Sequence, residues 1–318
     1  MVESFAPAVK TRLGVDYDTL RALKPDLVYC SISGFGQTGP LRDLLGFDAI
    51  LQAFCGVMAS NGARDSDPMR LPTSPIDQMT GLNAAIGIQA ALMRRAQTGE
   101  GAYLEVSLFE TATAMLSVSL QSYWETGEPP PRLGSAHPAI CPYQVFRAAD
   151  DYVFVGMAND RLWRRFCRAI DREDLADDPR FRSNADRVAR FDETVALVQS
   201  IVATRNRRDW IELLNGLDVP CAPVNSVADL DAHPHTAARG IVTAGRDADG
   251  SPLKDVAIPI VFDGAPRQGG AAPPALGQHT AAVLAGLGYG PADIARLAAS
   301  GAVQLDRAPD ARRLSDPA

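Results

Sequence analysis

Leu27-Val-Tyr-Cys-Ser-Ile32, running into Gly34-Phe-Gly36-Gln-Thr-Gly39-Pro40, decides how this chain is read. The first stretch is rich in β-branched and aromatic residues and predicts a strand; the second predicts a glycine loop at its end. Working outward, Asp16 fits a helix N-cap, Leu20 and Leu23 share a helical face, and Pro25 ends that run. Helix, strand and loop in this order predict an α/β domain that the chain enters partway through.

Downstream, residues 48–56 predict a helix with Ile50, Leu51 and Phe54 on its apolar side, followed by a polar, Pro-containing loop over 60–75. Asp77 introduces the strongest helical segment. Leu82, Ile86 and Met93 share a face, Arg94 and Arg95 sit in the last turn, and Gly99 closes it. Tyr103-Leu-Glu-Val-Ser-Leu108 alternates polar and apolar, as a half-exposed strand does. A second apolar helix ends near Trp124, and Pro129-Pro-Pro131 marks a boundary. A strand at 152–155 and helices at 162–170 and 192–203 predict a smaller unit. Residues 219–224 read as extended chain and 264–277 as a linker. Helices at 280–287 and 291–300 precede a charged tail expected to fray.

Composition narrows the function classes. The chain has 318 residues, 46% hydrophobic and 22% charged, which is globular rather than disordered. A net charge of −7 argues against a nucleic-acid binder, which needs a basic footprint. No apolar stretch is long enough to span a bilayer, and Met1-Val-Glu-Ser-Phe5 lacks the pattern of a signal peptide. Five cysteines without a Cys-x-x-Cys pair predict reduced thiols and a cytoplasmic protein. The lysines are Lys10, Lys24 and Lys254, which leaves little material for Schiff-base or P-loop chemistry.

Few motifs carry chemistry. Gly34 to Gly39 fits G-x-G-x-x-G, but Pro40-Leu-Arg-Asp43 gives no helix at the third glycine to meet a pyrophosphate. The stretch reads instead as a turn where backbone approaches a ligand or another chain. His233-Pro-His235 lacks the third ligand that a metal site needs. No G-x-S-x-G or H-E-x-x-H occurs. Asp77 stands out at the mouth of the best helix and has two readings. It fits an N-cap that accepts backbone N–H bonds, and it fits an ionised carboxylate serving as a nucleophile.

Several segments together resemble the class III CoA-transferases, the CaiB/BaiF family that includes formyl-CoA transferase and carnitine CoA-transferase. They are Leu23 to Pro40, Gly46-Phe-Asp48, Asp77 with its helix, Thr98-Gly-Glu-Gly101, Gly134 to Tyr143, and Leu276-Gly-Gln-His-Thr280. The resemblance implies an α/β fold with a Rossmann-like large domain, its N-terminal portion missing, and a smaller α+β domain. The chain would return to the large domain at its C-terminus. The implied boundaries are 1–125 for the partial CoA-binding domain, 126–262 for the small domain with linkers, and 263–318 for the return and tail.

It also implies the reaction. Asp77 would attack an acyl-CoA thioester and pass CoA to a free carboxylic acid through a mixed anhydride and an aspartyl-CoA thioester. Carried over by position, Phe5, Arg12, Leu45 and Phe47 meet CoA, with Arg12 as the phosphate contact. Gly134 and His137 belong to the substrate loop. CoA is then a substrate, with no permanent cofactor, no metal, no nucleic acid and no membrane partner. Ser4-Phe5-Ala6 departs from the family's usual Asn-Phe-Arg, which predicts a weaker CoA contact there.

Family members form interlocked homodimers and begin with a strand–helix–strand stretch that this sequence lacks. A missing N-terminal segment or subunit is therefore expected, with the 27–32 strand short of neighbours and prone to aggregate. Two other readings stay open. One is a 2-methylacyl-CoA racemase of the same superfamily, although such racemases carry a histidine where this chain has Phe47. The other is an inactive fragment or partner-dependent subunit.

Overall fold

The computed structural model describes residues 1–305 apart from 248–249, 268 and 271. The chain divides into two compact units, residues 1–223 and 224–318.

The first unit opens with β1 (Val2–Glu3), α1 (Pro7–Leu13), α2 (Tyr17–Leu23) and β2 (Val28–Ser33). Asp16 caps α2 by accepting from Thr19 N–H at 3.0 Å, as the sequence predicts. After the glycine loop come α3 (Asp48–Phe54), α4 (Val57–Ser60), the 24-residue α5 (Pro75–Thr98), β3 (Ala102–Ser107), α6 (Leu108–Met115) and α7 (Ser117–Thr126). No helix opens at Gly39; the next one starts at Asp48.

β1, β2 and β3 form a parallel sheet in that order, with β2 in the middle. The expected shortage of neighbours for this strand is corrected here. β2 pairs with β3 along its whole length and with β1 through Val2↔Cys30 and Glu3↔Ser31. The Met1 ammonium adds a bond to Val28 O at 2.9 Å. The two edge strands are the two-residue β1 and the six-residue β3.

α5 packs on β2, β3, α3 and α6. It turns Ile76, Thr80, Ala84 and Ala91 inward and leaves Leu82, Ile86 and Met93 63, 67 and 69% exposed. The sequence pattern puts these three on one face, and that face is the outward one. Small side chains let the helix approach the sheet closely, so they win the inner face. Ahead of α5, Thr73 and Ser74 hold φ angles of 71° and 48°, in the left-handed region that non-glycine residues rarely occupy.

Beyond α7 the same unit holds an antiparallel sheet of β4 (Tyr143–Arg147), β5 (Tyr152–Gly156) and β6 (Cys221–Pro223), in the order β4-β5-β6. Five helices cover it: α8 (Asp160–Ala169), α9 (Asp174–Asp177), α10 (Asn184–Ala189), α11 (Phe191–Val202) and α12 (Arg207–Asn215). Its core is Phe146, Val153, Val155, Trp163, Phe166, Phe181, Val198, Val202, Trp210 and Leu214. Arg187 is fully buried within it. Its guanidinium bonds to Asp160 at 3.0 Å and to the carbonyls of Cys141 and Phe181, and it lies over the Trp163 ring.

The second unit has α13 (Val227–Ala232), α14 (Pro234–Arg239), a hairpin of β7 (Val242–Arg246) and β8 (Pro252–Val256), α15 (Thr280–Gly286) and α16 (Pro291–Ala299). His233 is the N-cap of α14, its Nδ1 accepting from His235 N–H at 3.1 Å. The charged tail lies outside the described residues from 306 onward. No described helix is long and apolar enough to cross a membrane.

Candidate active site

A cleft of about 630 Å³ opens at the carboxyl ends of the parallel strands, where ligands of open α/β sheets bind. Its walls come from the turn after β1 (Ser4 to Ala8), the end of β2 (Ile32 to Gly34), the 42–47 loop and the first turns of α5 and α6. Asp77 lines it together with Phe5, Leu45 and Phe47. Beneath lies a small core of Phe35, Leu51, Ile76, Leu108 and Ala112, with Phe54 packed edge-on against both Phe35 and Phe109.

The sequence supports each wall locally. The 34–39 loop and the 42–47 loop come together because Gly34 and Gly46 lack side chains: a Cβ on Gly34 would lie 2.6 Å from the Gly46 Cα. The sequence predicts an approach to a ligand or another chain here; the approach observed is between two loops of this chain. Glu105, on β3, holds the Gln37 N–H of the same loop. Lys10 anchors the floor from α1, with Nζ 3.2 Å from Ser31 Oγ, 2.6 Å from Gln37 Oε1 and 3.4 Å from Glu3 Oε1. The other oxygen of Glu3 accepts from Phe5 N–H at 2.8 Å and so sets the turn carrying Phe5.

Asp77 is the third residue of α5, not its N-cap. Ser74 occupies the cap position and makes no side-chain cap bond. Asp48 does the capping from α3: its Oδ2 accepts from Ile76 N–H at 2.8 Å and Asp77 N–H at 3.2 Å. No hydrogen bond to the Asp77 carboxylate occurs among the described residues. Partial burial, and secondarily the Asp48 charge, raise its pKa above the usual aspartate value. The result is an exposed, unengaged carboxylate facing a largely apolar cleft, which suits covalent attack on an electrophilic carbonyl.

Four of the residues singled out from the sequence therefore meet in one place. Arg12 lies exposed in the last turn of α1, outside the residues lining the cleft. Gly134 and His137 lie elsewhere in the first unit. Gly134 is at φ 62° with its N–H on Gly62 O at 2.8 Å, and His137 packs on Tyr143 while its Nδ1 accepts from Ala139 N–H. Sequence reasoning missed Asp48 and the Glu3–Lys10 pair. The i,i+4 spacing of Asp48 and Gln52 was the available signal; nothing local marks Lys10 as buried.

The chain is similar to several known proteins. The family model for CoA-transferase family III matches residues 1–280. The succinate–glutarate CoA-transferase of Agrobacterium fabrum (strain C58) is 36% identical over 287 residues, covering 90% of this chain and 72% of the relative. The acetyl-CoA:oxalate CoA-transferase of Acetobacter aceti is 37% identical over 257 residues, covering 80% of this chain and 66% of the relative. A crystal structure of a CaiB/BaiF family protein from Brucella suis superposes with a TM-score of 0.77 at 35% identity, covering 90% of this chain and 74% of that one.

Proposed function

The chain belongs to CoA-transferase family III, and from that premise we propose that it moves CoA from an acyl-CoA to a free carboxylic acid with Asp77 as the nucleophile. The observation carrying this reading is the unengaged Asp77 carboxylate at the head of α5, opening into the cleft lined by Phe5, Leu45 and Phe47.

The Asp77 carboxylate attacks the thioester carbonyl, the C–S bond breaks, and CoA leaves as a thiolate with an acyl-aspartyl anhydride behind it. The thiolate attacks the aspartyl carbonyl of that anhydride, releasing the donor acid as its carboxylate and leaving an aspartyl-CoA thioester. The acceptor carboxylate then enters, and the same two steps run in reverse. Each half needs only a carboxylate and a thiolate as leaving groups, so no proton has to move.

Phe5, Leu45 and Phe47 supply apolar surface for the CoA arm, and Arg12 the charge for its phosphates beyond the cleft. Gly134 and His137 belong, in this reading, to the loop that meets the acyl group. The reading also includes a cytoplasmic homodimer, supported by five free cysteines and the exposed apolar face of α5. It includes a further segment pairing on the open edge of β1 as well.

The names of the relatives select the first substrates: succinyl-CoA with glutarate and acetyl-CoA with oxalate. Transfer by the wild-type chain, with hydroxylamine trapping an activated carboxyl on Asp77, is the expected result. Substantial transfer by Asp77→Asn would overturn the covalent route.

A further inference from the structure

We propose that Asp48 is a positioning residue for the nucleophile: its buried carboxylate caps α5 from outside the helix and so aims Asp77 into the cleft without engaging it. This rests on the reading of Asp77 as the attacking group.

The first turn of a helix has backbone donors with no partner inside the helix. A side chain at the N-cap normally takes one of them, but Ser74 takes none. Asp48 instead takes two, Ile76 N–H and Asp77 N–H, through one oxygen. Its other oxygen accepts from Gln52 Nε2 at 2.5 Å. Gln52 is fully buried and clips the backbone of Leu71 twice, its Oε1 taking Leu71 N–H at 2.7 Å and its Nε2 giving to Leu71 O at 3.1 Å. One Asp–Gln pair on α3 thus holds both ends of the 71–77 segment, with the left-handed Thr73 and Ser74 pinned between.

This arrangement has an electrostatic side. An acidic residue in the first turn is ordinarily stabilised by the positive end of the helix. Here Asp48 already neutralises that end, and its charge opposes a second anion at Asp77. The other elements packed on α5 add no opposing charge to Asp77. Glu105 of β3 bonds to the Gln37 N–H, and α6 carries another acid, Glu110, in its first turn. Arg42 and Asp43 line the same cleft from the loop. Asp77 is therefore a carboxylate with little to give up when it attacks, which favours reaction over resting as a salt or a cap.

The test compares full pH profiles of transfer for wild type, Asp48→Asn and Asp48→Glu, with acyl-CoA KM measured at each pH. Asp48→Asn is expected to lower kcat about 100-fold, the scale of a misplaced reacting group, with KM little changed and the acidic limb displaced to lower pH. Asp48→Glu keeps both acceptor oxygens and the charge, and should restore most of kcat and the wild-type limb. An Asp48→Asn enzyme with wild-type kcat and limb overturns the proposal. So does equal impairment of both variants with the limb unmoved.

NMR titration of ¹³C-labelled aspartates, with Asp77 assigned by its loss in Asp77→Asn, needs no turnover. An Asp77 midpoint in the wild-type protein at or below the usual aspartate value also overturns the proposal, including where Asp48→Asn does not fold. If wild type transfers nothing but the Asp77 midpoint is high and falls in Asp48→Asn, the transferase reading fails while the coupling of Asp48 to Asp77 stands.

Discussion

Gly34 and Gly46 cross with so little room that a Cβ on Gly46 would sit 2.5 Å from the Gly34 Cα and 3.0 Å from Leu51 Cδ2. The first approach cannot be relieved by rotating a side chain, since it is backbone against backbone. The contact closes the floor of the cleft and fixes how far Leu45 and Phe47 stand from the end of β2.

Alanine at either position should therefore separate the two loops. Gly34→Ala or Gly46→Ala is expected to cost about 1–3 kcal/mol, the range for overpacking, and to weaken CoA binding more than α-helical content. Thermal melts and calorimetric CoA titration on each variant measure this. Unchanged melting and binding would mean that the loops part without consequence.

The Glu3–Lys10 pair gives a stability prediction with a definite sign. Burial works to raise the Glu3 pKa but is outweighed by the Ser31 hydroxyl, the Phe5 N–H and Lys10, so the net shift is downward. A carboxylate with a depressed folded pKa contributes stability above its unfolded value, and that stability is lost as pH falls through the folded value. The melting temperature should drop on acidification from the ordinary glutamate range downward, and Glu3→Gln should flatten that slope. Lys10→Met leaves the Glu3 charge buried without its partner and should cost about 3–5 kcal/mol. A pH-melting curve for Glu3→Gln that superimposes on wild type would refute the assignment.

Phe47 separates transfer from racemisation. A phenyl ring has no proton to exchange, so a 2-methylacyl-CoA incubated in deuterated buffer should gain no α-deuterium above the background rate. Mass spectrometry of the recovered thioester reads the outcome. Rapid uptake that persists in Phe47→Ala would revive the racemase reading.

For the proposed homodimer, the exposed stripe on α5 is the surface to break. Leu82→Glu with Ile86→Glu should leave helix content intact and shift the light-scattering mass to that of a single chain. A pair of charges there with no effect on mass would move the dimer contact off α5.

Local signals in the sequence were read correctly where one element decides the outcome. Asp16 caps α2 because the cap and its partner Thr19 lie three residues apart. The 27–32 run forms β2, shifted by one residue, because its side chains suit a buried strand. α5 is legible as a helix, but not which of its faces is buried. Leu82, Ile86 and Met93 look like core by hydrophobicity, yet the sheet accepts only Thr80, Ala84 and Ala91 at that distance. The cap of α5 was out of reach for a similar reason, since Asp48 and Asp77 are 29 residues apart and no periodicity links them. Phe5, Leu45 and Phe47 came from the family resemblance alone, and their meeting with Asp77 is a product of tertiary folding.

Thr73 and Ser74, at φ 71° and 48° just ahead of the proposed nucleophile, expose a conflict between durability and turnover. Each spends about 1–3 kcal/mol in a backbone region that suits glycine or asparagine. A thermostability screen would therefore select Gly or Asn at these two positions, since relieving the torsional cost hardens the fold. The same exchange would loosen the segment pinned ahead of Asp77, so variants that survive heating best would be the ones to check first for lost catalytic rate.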